Sequence, residues 1–117
     1  MILEVLRINR ENLEPLKDKF KGVKALKMMK IFKKIDEEIK ILEEFKNKLI
    51  IKYGEKEDEE FVVKKDSEKF NSFVEEYYEA ARQEIDLNVD LILNEQDIEN
   101  FTVRELEFLE LIGAKIE

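Results

Sequence analysis

The chain has 117 residues, with 21 Lys or Arg against 29 Asp or Glu, a net charge of −8, and neither Cys nor His. That length has room for one domain and one core, spanning 1–117. Without Cys or His, the sequence offers no disulfide, no thiolate nucleophile, no His-dependent triad and none of the usual zinc ligands.

The start, MILEVLRINRENLE, is charged by its fourth residue and has no apolar h-region, so it does not read as a secretory leader. No window approaches the roughly 18 apolar residues of a membrane span, and a soluble, cytoplasmic protein is expected. Ile2 to Ile8, rich in β-branched residues and Leu, reads as a strand. Asn9 or Asn12 can cap a short helix that holds Pro15 in its first turn and puts Leu13, Leu16 and Phe20 on one face. Lys21 and Gly22 mark a break.

The next stretch, from Gly22 to Tyr53, dominates the chain. Met28, Phe32, Ile35, Ile39, Leu42, Leu49 and Tyr53 recur at steps of three and four, interrupted only by Lys46, which predicts one long amphipathic helix. Leu26, Ile31, Phe45 and Ile50 widen its apolar stripe, while charges spaced four apart (Lys33 and Glu37, Lys34 and Glu38, Asp36 and Lys40) mark the wet side. Gly54 sits where a residue of positive φ would end the helix. At about 1.5 Å per residue such a helix runs roughly 45 to 48 Å, so it is either kinked or projects towards a partner.

Glu55 to Glu60 reads as a charged turn and Phe61-Val62-Val63 as a brief extended piece. Asp66 or Ser67 caps a third helix whose Phe70, Val74, Tyr77 and Ala81 share a face, making it the antiparallel partner of the central one. Ile85–Leu93 alternates, with Leu87, Val89, Leu91 and Leu93 on one side and Asp86, Asn88, Asp90 and Asn94 on the other, as a half-buried strand does. It is expected to pair with Ile2 to Ile8. The chain closes with a helix opened by the capping box Thr102-Val103-Arg104-Glu105 and ended by Gly113. The expected fold is therefore α+β, mainly α: a long central helix, an antiparallel packing helix, a short closing helix and a minimal two-stranded sheet.

Three constellations bear on function. Asp86, Asn88, Asp90, Asn94 and Asp97 fall at calcium-loop spacing, but Leu91 stands where that loop needs Gly and Asp97 where it needs Glu, so a solvated strand face is the better reading. Residues 1–34 carry ten bases and four acids, +6, and residues 35–117 eleven bases and twenty-five acids, −14. Within the basic part, Lys17, Lys21, Lys24, Lys27, Lys30 and Lys34 form one stripe if the segment is helical, a candidate contact for an anion or a partner. The segment lacks Arg and interleaved aromatics, which argues against sequence-specific nucleic-acid binding. The acidic remainder can imitate a nucleic-acid backbone, or simply solubilise. No carboxylate pair or Gly-rich phosphate loop stands out, so no enzyme activity, metal or cofactor is expected, although a carboxylate-bound magnesium enzyme is conceivable.

The stretch IDEEIKILEEFKNKLIIKYGEKEDEE, then EKFNSFVEEYYEAARQEIDLNVDLI, then TVRELEFLELI, resembles a family of small, functionally uncharacterised proteins of tailed phages and prophages of Gram-positive bacteria. The likeness spans roughly residues 25–112, and its sharpest token is Tyr53-Gly54-Glu55-Lys56. It implies a viral protein made in a bacterial cytoplasm. Such a protein is expected to act without catalysis, as a homo-oligomer, by binding a host protein or capturing a small anionic nucleotide. The alternative is a role in virion or tail assembly.

Overall fold

The structure is a computed structural model that describes residues 2–117. Its element order is α1 (Leu3–Leu13), a 3₁₀ helix (Glu14–Asp18), α2 (Gly22–Tyr53), β1 (Glu55–Glu57), β2 (Glu60–Val62), α3 (Phe70–Ala81), β3 (Ile92–Leu93), α4 (Val103–Ile112) and β4 (Lys115–Ile116). The fold is mainly α with minimal β structure, as expected.

α2 is one continuous 32-residue helix. Neither a break nor a bare projection reconciles its length with a small domain; instead the molecule is itself drawn out, measuring 55 × 24 × 23 Å. Two apolar clusters lie along it. The larger gathers Leu6, Leu13, Leu16, Met28, Phe32 and Ile35 with Leu87, Leu91, Leu93, Leu109 and Ile112. The smaller joins Leu42 and Leu49 to Leu3, Tyr77 and Ala81, and half-buried Ile39 and Ile85 touch both. α3 runs antiparallel to α2: Tyr53 reaches Glu76, Lys46 lies over Tyr77, and Ile39 meets the cluster edge at Ile85, descending one helix while ascending towards the end of the other.

The first segment departs from expectation. Leu3 to Ile8 is helix rather than strand, with Ile2 the extended residue before it, because Leu3, Leu6 and Leu13, with Arg10 between, follow a helical step of three and four that continues past Ile8. Its start is tied to the end of α3 by the Leu3 N–H to Gln83 carbonyl bond and an isolated Ile2–Glu84 bridge. Ile85–Leu93 keeps its alternation, with Leu87, Leu91 and Leu93 buried and Asp86, Asn88 and Asp90 exposed. Only Ile92–Leu93 enters a ladder, however, and its partner is Lys115–Ile116, in parallel. The other two-stranded sheet is an antiparallel hairpin, Glu55 opposite Val62, turning through Asp58 at φ 55° where only a charged turn was expected.

Termini of the helices differ in how they are made. α4 has the expected capping box: the Glu105 N–H donates to Thr102 Oγ1 (3.2 Å) and the Thr102 N–H to Glu105 Oε1 (3.1 Å), and Gly113 closes it at φ 101°. α3 lacks a side-chain cap; it begins at Phe70, and Ser67 Oγ accepts from the Lys69 N–H instead. Gly54 follows α2 in extended backbone, φ −85°, not the left-handed conformation expected. Glycine is required there by crowding: a side-chain carbon would collide with the Ile50 carbonyl oxygen and lie 3.1 Å from that of Val62.

Candidate functional site

The sequence-predicted lysines fall into two groups. Lys24 is ion-paired with Asp97, Lys27 with Asp90 (3.3 Å), and Lys17 with Glu14 (3.2 Å). Lys19, outside the predicted set, binds buried Glu105 at 2.8 Å. Three of these pairs run in order, 27 with 90, 24 with 97 and 19 with 105, so the acidic C-terminal third lies antiparallel along the basic start of α2. Lys24 and Lys19 hold the carboxyls of Asp97 and Glu105 below the ordinary range, with burial of each carboxyl opposing the shift. Lys21, Lys30 and Lys34 have no ion-pair partner among the described residues. Lys30 and Lys34 lie one turn apart on α2, while Lys21 precedes the helix at its start. The six lysines thus do not present a single free stripe.

Beside this region, where the 3₁₀ helix crosses α2, a groove of about 750 Å³ opens. Ala25, Met29 and Phe32 form its apolar floor; Lys17, Lys33 and Lys40 supply cations at its rim, with Asp36 and Glu37 between them. Met29 is 63% exposed at the centre of this floor. Phe32 is held flat by two cations, the Arg10 guanidinium 4.8 Å and Lys17 Nζ 5.2 Å from its ring centre. Arg10 is itself fixed by a forked pair with Asp36 (Nε to Oδ1 2.5 Å, Nη2 to Oδ2 3.1 Å) and by Glu14 (2.6 Å). The Arg10 hydrogen bond lowers the Asp36 carboxyl from its ordinary pKa, and Glu14 likewise. Asp36 therefore stays charged well into acid, keeping the groove wall in place.

The described lining of the groove is an apolar floor with a charged rim. Among the described residues no cluster of acids has metal-site geometry, and no helix is long and apolar enough to cross a membrane. The groove was not anticipated from the sequence. Its signal was present in Met29, an apolar residue outside the core stripe; Leu26, expected to widen that stripe, is instead 47% exposed on the neighbouring flank of α2. Compared with family models, curated proteins and solved structures, the chain matches none.

Proposed function

We propose that this chain is a non-enzymatic phage or prophage accessory protein that captures a host protein, as an inhibitor of host defence or regulation, through the groove between the 3₁₀ helix and α2. The observation that carries the reading is the apolar floor of Ala25, Met29 and Phe32 framed by charged side chains, of which Asp36 and Lys17 are held by Arg10 and Glu14. The viral setting rests on the resemblance of residues 25–112. A protein ligand is favoured over a small anionic nucleotide because Lys17, Lys24 and Lys27 are already paired, and Lys21 stands nine residues, about 13 Å, before Lys30. A helix or loop from a partner can use the apolar floor and the charged rim together, which a compact phosphate group cannot. Assembly of a virion or tail is the second reading, favoured by exposed Val23, Leu26, Met29 and Ile41 on one helix.

The experiment is native mass spectrometry of tagged chain recovered from a Gram-positive host lysate, comparing wild type, Met29→Glu and Lys21→Glu. A stoichiometric host protein held by wild type and Lys21→Glu but lost by Met29→Glu is expected. A retained nucleotide in place of a host protein would replace this reading by the anion sponge. Co-sedimentation with particles that ignores both substitutions would move the protein to assembly.

A further inference from the structure

The face of α2 turned away from both core clusters has a charge order of its own. Between Gly22 and Lys34 the helix carries Lys24, Lys27, Lys30, Lys33 and Lys34 and no acid; from Ile35 to Glu44 it carries Asp36, Glu37, Glu38, Glu43 and Glu44 against Lys40 alone. On the flank away from the groove, exposed apolar side chains punctuate both halves: Val23 at 68% and Leu26 among the bases, Ile41 at 60% and Phe45 among and beyond the acids. At 100° per residue Val23, Lys30, Lys34 and Ile41 share this flank, Glu37 stands at the border between it and the groove, and Met29, Asp36 and Lys40 turn towards the groove.

We infer that a second copy of the chain packs antiparallel on this flank, as an isologous pair whose two-fold axis passes near Ile35–Glu37. The occupant follows from charge. An identical helix laid antiparallel about that point sets the basic segment of each copy against the acidic segment of the other, twice, and places Leu26 near Phe45. A parallel copy would lay bases on bases. A head-to-tail contact would satisfy one complement per copy and propagate, whereas the antiparallel pair satisfies both and closes. Helix axes packed 8 to 10 Å apart sit at about one Debye length at 0.1 M salt, so the pair is salt-sensitive as well as apolar.

The test uses sedimentation of the full chain at about 0.1 M and about 1 M salt, with two charge reversals chosen outside the groove. Wild type sediments as a dimer that weakens at high salt. Lys30→Glu/Lys34→Glu and Glu38→Lys/Glu44→Lys each dissociate at least about tenfold more readily, and an equimolar mixture of the two restores a dimer, because the heterodimer is complementary at both ends. Orientation is read by disulfide trapping in a chain that has no cysteine of its own. Glu37→Cys, near the axis, cross-links to its own copy, and Leu26→Cys, far from it, does not. Cross-linking of both would show a parallel pair and overturn the inference. So would a wild type monomeric at about 100 µM, a range in which weak protein pairs still populate the complex, or a dimer indifferent to both reversals. None of the four reversed residues lines the groove, so loss of the dimer with partner capture intact separates this inference from the proposed function.

Discussion

Arg10 joins α1 to α2 and covers the floor of the groove, so its removal should be felt in stability in a way that can be apportioned. Its forked pair with Asp36, whose side chain is half exposed, is worth about 0.5–1 kcal/mol once solvent screening is allowed for. Contact of the guanidinium with the Phe32 ring adds about 0.5–1 kcal/mol. The aliphatic stem shields a ring that is 4% exposed, which adds about 0.5 kcal/mol. Arg10→Ala is therefore expected to cost about 1.5–2.5 kcal/mol, and Arg10→Met, which keeps a stem, about 1–2 kcal/mol. Urea unfolding at pH 7 measures both as a shift in midpoint at unchanged slope. A double-mutant cycle of Arg10→Met with Asp36→Asn isolates the pair, with an expected coupling of about 0.5–1 kcal/mol that shrinks in 1 M salt, where screening acts over about 3 Å. A coupling indistinguishable from zero at low salt, or equal losses for Met and Ala, would refute this account of the groove wall.

Gly54→Ala should destabilise far more than Gly22→Ala, although Gly22 is the one with φ +62°: a carbon at 22 meets nothing within 4 Å, and at 54 it strikes the Ile50 carbonyl, so thermal unfolding of the two variants separates crowding from backbone strain. Thr102→Ala should lower stability by about 1 kcal/mol in the same assay by removing one half of the α4 capping box. Acid unfolding tests the carboxylates: Glu4, Asp36, Asp97 and Glu105 have folded pKa values lowered by Arg7, Arg10, Lys24 and Lys19, so the unfolded chain binds more protons in acid. Stability should be fully present above the unfolded carboxylate range near pH 4, be lost as pH falls through the lower folded values, and be flat through neutrality, where the chain has no His to titrate. A stability step between about pH 6 and 7.5 would contradict this, since no histidine is available to cause it.

What was legible in the sequence was whatever a single segment decides. Eight turns of period between Gly22 and Tyr53 fix α2, and Thr102, Glu105 and Gly113 fix both ends of α4 by local hydrogen bonds. Burial alternation in Ile85–Leu93 was legible for the same reason, as a property of which side chains are apolar. Its pairing was not, because a ladder depends on which backbone arrives alongside, and the arrival here is the two residues Lys115–Ile116 after α4. The first segment was misread by stopping at Ile8. β-branched content over seven residues suggests a strand, while the Leu3, Leu6, Leu13 spacing that specifies a helix appears only in a window of eleven. Of the hairpin Glu55–Val62 only the extended piece at Phe61 and Val62 was legible; Glu55–Glu57 carried no pattern, since its residues are exposed on both faces and charge is what solvent permits rather than what a sheet demands.

The groove escaped notice for a different physical reason, which concerns charge. A sequence with +6 in its first 34 residues and −14 in the rest invites an external partner for each part. In the fold much of that opposition is spent internally, because Asp90, Asp97 and Glu105 lie along Lys27, Lys24 and Lys19 and bring the C-terminal arm down onto the larger core. The Lys24 and Lys19 pairs are partly buried and the Lys27 pair is exposed, so each contributes modestly to holding the arm in this register. The charges left for recognition are those the arm does not reach, Lys21, Lys30, Lys33 and Lys34, together with the acids that follow on α2. The lysines nearest the arm therefore serve the fold, and the outward side of α2, where cations and acids alternate with exposed Val23, Leu26, Met29 and Ile41, is where unpaired charge and uncovered apolar surface remain together.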